Sequence, residues 1–199
     1  MIGNQPMSGG EIFLDGRGQS AYFRKPHLLH GLVGYCPQTN TFDENLTVLQ
    51  TLTVYAGLVG FDSEQKARYV ESTIVRFGLE MFRDTKAGNL SGGNKRKLTL
   101  AIAMLGRPRV IFIDEASAGV DPASRRVLWK AIRHEGQQSA VVLTTHAMEE
   151  AEAISEKIAI MVNGKFRSFG NLSQVLTDFG GGYLVTINME TESSLEQYS

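Results

Sequence analysis

The sequence predicts an α/β fold with a mainly parallel sheet, and the middle of the chain carries the prediction. Two short apolar runs, Val110 to Ile113 and Ala140 to Thr144, are rich in β-branched residues and read as buried strands. Between them Asp121-Pro122 opens a helical pattern, with Asp as N-cap and proline at the first helical position. Val127, Leu128, Ala131 and Ile132 give that helix an apolar face. Strand, helix, strand, helix in this order needs crossover connections, and those make neighbouring strands parallel. With 199 residues, 42% of them hydrophobic and 21% charged, the chain has a single domain's length and a globular balance.

From the start, Glu11 to Leu14 reads as a short strand ending at the turn dipeptide Asp15-Gly16. Leu32 to Cys36 reads as another, stopped by Pro37, which has no N–H to give a ladder. Asn45-Leu46-Thr47 begins a helix over Val48 to Val59. From Ser63, the positions Ala67, Val70, Ile74 and Phe77 recur at helical spacing. Lys95 to Leu105 reads as a third helix and Ala147 to Ser155 as another. Ile158 to Val162, Asn163-Gly164 and Lys165 to Phe169 spell a hairpin with a tight turn. Beyond Gly170 a short helix (Leu172 to Asp178) and a strand (Tyr183 to Met189) are expected.

Composition removes several classes of function. The 20 Lys+Arg and 21 Asp+Glu nearly cancel, so no bulk charge favours nucleic acid or a membrane surface, and no nucleic-acid partner is expected. No apolar run is long enough for a membrane span, and Met1 to Gly10 lacks the basic and apolar regions of a signal peptide. If the protein acts at a membrane, another chain or a missing part of this one is expected to do the spanning. Cys36 is the sole cysteine and reads as a small core residue. His27, His30 and His134 lack partners at zinc-ligand spacing, so no zinc is assigned.

Four segments carry candidate chemistry. Val110 to Ile113 ends in Asp114-Glu115, which delivers two carboxylates to the carboxyl edge of a parallel sheet, where such folds bind ligands. One acid can hold a hydrated Mg²⁺, and the next can polarise a water for attack on a phosphoryl group. The bland alternative is a solvated acidic turn. Ser91-Gly92-Gly93 heads a helix with bare backbone N–H groups, a ready anion site; the alternative is an ordinary capped helix. The Lys95-Arg96-Lys97 run that follows reads as a solvated helix face. Thr144-Thr145-His146 follows a strand and would bring an imidazole toward a terminal phosphate, or only cap the strand end. Gln38, after the strand ending at Cys36, can contact metal or water but says little alone. Trp129 reads as packing or surface.

Their order and spacing resemble the nucleotide-binding domain of ATP-binding-cassette (ABC) transporters. Leu90 to Asn94 resembles the signature loop, Val110 to Glu115 the Walker B strand, Gln38 the Q-loop, Ala118-Gly119-Val120-Asp121 the D-loop and His146 the switch histidine. The likeness covers about Gly9 to about Gly182. Gly34-Tyr35-Cys36-Pro37-Gln38, Ser91 to Leu98 and Thr145 to Glu152 look like the A subfamily, many of whose members move lipids. So do Ile158 to Gly164 and Phe179-Gly180-Gly181-Gly182-Tyr183.

The resemblance implies a P-loop NTPase-like cassette over residues 1–170, with a helical signature subdomain at about 45–107 and the start of a C-terminal extension at 171–199. It implies ATP and Mg²⁺ as cofactors. Asp114 and Gln38 would serve the metal, Glu115 would be general base and His146 would contact the γ-phosphate. Ser91, Gly92 and Gly93 would bind ATP held by a second nucleotide-binding domain, and Asp121 would link the two sites. Gln38 would also couple to transmembrane domains handling a lipid substrate, at the cytoplasmic face of a membrane.

The chain departs from the pattern twice. No Gly-x-x-x-x-Gly-Lys-Ser/Thr P-loop occurs, although that loop normally cradles the β- and γ-phosphates. A shortened chain with weak nucleotide affinity on its own is therefore expected. Ala116 also stands where the family usually has proline. Two other readings fit parts of the pattern. A soluble ABC-type ATPase of translation or DNA repair lacks support from heptads or an Asn-His-Leu-Asp segment. A degenerate module that pairs with a complete cassette without catalysing is favoured by the missing P-loop.

Overall fold

The computed structural model describes residues 9–14, 16–18 and 31–179. Two compact units divide the chain, Met1–Ile154 and Ser155–Ser199.

In the first unit Phe13–Leu14 (β1) pairs antiparallel with Arg17–Gly18 (β2), so the expected strand from Glu11 is shorter and belongs to a tight hairpin. Val33–Cys36 (β3), Val110–Asp114 (β4) and Ala140–Thr144 (β5) form a parallel sheet in that order. Its register aligns Cys36 with Ile113 and Leu143, and Asp114 with Thr144. The crossovers are helical: Val48–Val59 (α1), Ser63–Arg76 (α2) and Gly92–Ala103 (α3) lie between β3 and β4, and Pro122–Gly136 (α4) lies between β4 and β5. Met148–Ile154 (α5) closes the unit.

Local chemistry explains the helix ends. Thr47 caps α1 in a reciprocal box: its hydroxyl accepts from the Gln50 N–H at 3.2 Å, and the Gln50 side chain accepts from the Thr47 N–H at 2.9 Å. Gly60 ends the helix at φ 101°, in the left-handed region. Asp62 caps α2, and Asp121 caps α4 with Pro122 behind it, as expected. Helix α3 begins at Gly92 rather than near Lys95, because Ser91 is the N-cap and both glycines are helical.

A continuous core joins the helices to the sheet. Leu52, Ile74, Phe77, Leu79, Leu98, Leu100, Ile111, Ile113 and Leu128 are all buried in it. At Gly34 β3 runs so close to the end of α3 that a Cβ would collide with the Ala103 carbonyl. Arg76 of α2 donates to Glu135 of α4, whose side chain is 4% exposed, so a charge pair ties two helices across this core. Strand β5 departs from expectation. Ala140, Val142 and Thr144 are exposed, so one face of this strand is uncovered and only the other packs inward.

In the second unit Ile158–Val162 (β6) and Lys165–Gly170 (β7) form the expected hairpin. Asn163 and Gly164 both have positive φ, 51° and 73°, as a type I′ turn requires. Leu172–Phe179 (α6) follows, with Asn171 and Gln174 bonding each other's N–H groups at its start. The expected strand Tyr183 to Met189, and His27 and His30, lie outside the described residues. No described helix is long and apolar enough to cross a membrane.

Candidate functional site

Strand β4 ends at Asp114, and its last bonds set the rim of the sheet. The Thr144 hydroxyl donates to Asp114 Oδ1, and the Glu115 N–H donates to the Thr144 carbonyl at 3.0 Å. Glu115 has φ 48°, a left-handed conformation that costs a residue with a side chain about 1–3 kcal/mol and persists only where neighbours fix it. This turn lifts the Glu115 carboxylate out of the sheet.

Two other segments meet it there. Gln38, two residues past β3, donates from Nε2 to Glu115 Oε2 at 2.9 Å. His146, two residues past β5, places Nδ1 3.4 Å from Glu115 Oε1. The His146 side chain is 75% exposed and that of Glu115 28%, so the cluster stands open to a ligand from solvent. Gln38, Asp114, Glu115 and His146 thus converge from the ends of three adjacent strands. Among the described residues no group of three or more His, Cys, Asp or Glu side chains could hold a metal alone. Oxygens from Asp114 and Gln38 suit Mg²⁺, which takes one or two protein carboxylates and completes its shell with water and phosphate.

Ser91, Gly92 and Gly93 form a second group. Ser91 caps α3, and its hydroxyl accepts from the Asn94 N–H at 3.4 Å. Nothing lies within 4 Å of the space a Gly92 Cβ would fill, so this end of α3 is open. A Cβ on Gly93 would instead lie 2.9 Å from both Asp121 Oδ2 and Ser124 Oγ. The N-termini of α3 and α4 therefore sit side by side, and Asp121 belongs to this group. Its carboxylate accepts from the Ser124 N–H at 2.9 Å. That backbone bond, then the Ser124 hydroxyl, holds the Asp121 carboxyl below the usual aspartate range. Ala118 to Val120, turning at Gly119 with φ 69°, connects the acidic rim to this cap.

One expectation is overturned. Lys95-Arg96-Lys97 is not a solvated face. Arg96 is 5% exposed and Lys97 8%, and most residues of α3 are buried. A helix packed on nearly every side cannot leave its basic residues in water, so they find partners. Lys97 donates to Asn94 Oδ1 at 3.2 Å, and Lys95 pairs with Glu44 at 3.2 Å. Arg96 donates to five backbone carbonyls, those of Pro37, Gln38, Asp114, Glu115 and Ala116. Trp129 is half-buried and donates to Glu150 Oε1 at 3.1 Å, a carboxylate only 1% exposed. Cys36 is buried, and that burial pushes its thiol up to about 11.

A separate open hollow of about 510 Å³ lies away from the rim, between α2 and the segment after α3. Phe61 and Tyr69 stack there at 4.8 Å, the Arg107 guanidinium sits 5.9 Å from the Tyr69 ring centre, and the Tyr69 hydroxyl is buried without a hydrogen-bond partner.

A sequence model of the family described as "ABC transporter" matches residues 1–118. Among curated proteins, ATP-binding cassette sub-family A member 7 of Rattus norvegicus is 40% identical over 192 residues, 95% of this chain and 9% of its own length. ATP-binding cassette sub-family A member 2 of Homo sapiens is 37% identical over 197 residues, 98% of this chain and 8% of its own length. The retinal-specific phospholipid-transporting ATPase ABCA4 of Homo sapiens is 43% identical over 166 residues, 82% of this chain and 7% of its own length. The chain therefore spans less than a tenth of these relatives. Of solved structures, an ATP-binding subunit of an ABC transporter superposes with TM-score 0.77 at 25% identity, over 90% of this chain and 74% of that one. A dimeric ATP-binding cassette in a post-hydrolysis state, bound to ADP and Pi, gives 0.71 at 19% identity over 83% of this chain and 74% of that one, a likeness of fold.

Proposed function

Because the chain belongs to the ABC transporter family, we propose that it supplies the ATP-hydrolysing cassette of a transporter that moves lipids across a membrane. The observation that carries this reading is the meeting of Gln38, Glu115 and His146, from three strand ends, beside Asp114. The lipid cargo rests on the printed name of the phospholipid-transporting relative. The cassette would occupy residues 1–170, with a helical part at about 45–107, and residues 171–199 would open a C-terminal extension.

Glu115 is the general base. Its carboxylate is partly shielded and met on its two oxygens by Gln38 and His146. A water at this carboxylate would lose its proton to Glu115 as its oxygen attacks the γ-phosphorus in line, while the bond from the γ-phosphorus to the bridging oxygen breaks and ADP leaves with that oxygen. Mg²⁺, once bound, offsets negative charge on the β- and γ-phosphates. Asp114 would hold it with Gln38. His146, exposed at the open side, would donate a hydrogen bond to a γ-phosphate oxygen.

Ser91, Gly92 and Gly93 face a different ligand. Open amides at a helix head attract an anion but form no pocket of their own. They would receive the γ-phosphate of ATP held by a second cassette, with Asp121 carrying the state of one site to the other. Gln38 would also couple this site to membrane-spanning partners.

The test is ATP turnover by the full-length protein with its transmembrane segments. Glu115→Gln should lower kcat by about 100-fold or more, in the range of a lost general base, and leave ATP binding intact. Turnover that survives the substitution removes Glu115 as the base.

A further inference from the structure

We propose that Arg96 is a positioning residue that fixes Gln38 and Glu115 in one working geometry from within helix α3. This rests on the hydrolytic reading above and assigns a role to a residue outside the reacting atoms. The guanidinium is planar and offers five N–H donors in a rigid fork. Here Nε donates to the Ala116 carbonyl at 2.9 Å, and Nη2 to those of Asp114 at 2.5 Å and Glu115 at 3.0 Å. Nη1 turns the other way, to the Pro37 carbonyl and to that of Gln38 at 3.3 Å. One side chain thus grips the backbone on both sides of the Gln38–Glu115 hydrogen bond.

Two features show that this grip sets geometry. Glu115 sits at positive φ, and Arg96 holds the carbonyl before it, its own and the one after it. In addition, the segment carrying Gln38 is fastened to the same helix twice more. The Thr99 hydroxyl donates to Asn40 Oδ1 at 2.9 Å, and Lys95 pairs with Glu44. Any shift of α3 therefore pulls on Gln38 and Glu115 together. Since α3 begins just after Ser91, a ligand arriving at its open end would be felt at the acidic rim through Arg96.

The experiment compares wild type, Arg96→Lys, Glu115→Gln and the double variant in the full-length protein, with ATP as substrate. Lysine keeps charge and stem but cannot fork between two loops. Arg96→Lys should lower kcat by about tenfold or more and leave KM for ATP within about threefold. In the Glu115→Gln background the same change should alter the residual rate less than about twofold, because Arg96 acts through Glu115. An equal fall in both backgrounds, or an unchanged kcat, overturns the proposal. Hydrogen exchange without nucleotide gives an independent reading. Residues 36–40 and 114–118 should exchange about tenfold faster in Arg96→Lys while 158–170 stay unchanged. Unaltered exchange in those two loops also overturns it. Arg96→Gln, which removes the buried charge, serves the same comparison where the lysine variant does not accumulate. A wild type that fails to hydrolyse ATP sinks the transporter reading, and the exchange measurement still decides the role of Arg96.

Discussion

The acidic rim and the paired helix heads are built on opposite plans. At the rim, side chains from three strand ends bond one another, and Gln38 reaches Glu115 across 77 residues of sequence. At the heads of α3 and α4, the bonds are local caps spanning three residues, Ser91 to Asn94 and Asp121 to Ser124. The rim brings acids, an amide and an imidazole to one point, so it can move a proton. The heads bring N–H groups and an open space at Gly92, so they can hold an anion but not transform it. A rim that reacts and a terminus that only binds are complementary halves. In the proposed reading, this rim would close against the helix head of a second cassette around a shared triphosphate.

Gly92→Ala is the sharpest way to break this contrast. The added methyl meets nothing in the fold, and alanine favours a helix over glycine by about 0.5–1 kcal/mol. Stability should hold or rise. The methyl would nevertheless occupy the space where the proposed reading puts the incoming phosphate. ATP turnover of the full-length protein should fall by about 100-fold, comparable to losing one preorganised donor. Unchanged turnover with unchanged melting would show that the open end of α3 is only a helix cap.

Gly34→Ala should do the reverse and act on the fold alone. Its Cβ would enter the Ala103 carbonyl and press within 2.9 Å of Pro108 Cγ. Overpacking of this kind costs about 1–3 kcal/mol, read as a lower midpoint in chemical unfolding. A midpoint equal to that of wild type would mean that β3 and α3 can separate without loss.

The same contrast explains what the sequence makes legible. Local devices are readable: Asp121-Pro122, the Asn163-Gly164 turn and the apolar runs of β4 and β5 stand where their chemistry predicts. The start of α3 is harder to place, because two glycines disguise a first turn that Ser91 caps. Arg96 misleads because adjacent charges usually mark a solvated face, and only its five distant carbonyls reveal otherwise. Strand ends already place Asp114, Glu115 and His146 at the sheet's edge, but no local pattern brings Gln38 to Glu115. The exposed face of β5 is hidden for a related reason, as an apolar run does not say how many of its faces are covered.

A smaller effect is expected at the reciprocal cap of α1. Thr47→Ala removes the hydroxyl that accepts from the Gln50 N–H. The loss should be about 1 kcal/mol, without change in ATP turnover, because this cap touches neither group. A matching loss of turnover would tie α1 to the site.

The smallest effect tests whether Asp121 owes its lowered pKa to its place at the head of α4. The Ser124 N–H and hydroxyl favour the charged carboxylate, so the folded protein releases this proton at lower pH than the unfolded chain. Its contribution to stability is therefore complete above the ordinary aspartate range near about 3.9 and is lost as pH falls through the lowered folded value. In Asp121→Asn the new amide oxygen would still accept from the Ser124 N–H, but there is no charge to lose. Comparing this variant with wild type by urea unfolding should show wild type ahead at pH 7 and the gap closing as the pH drops below the ordinary aspartate value of about 3.9. A gap of the same size in acid and at neutrality would mean that Asp121 holds Ser124 through shape alone, leaving its charge free for the opposite cassette.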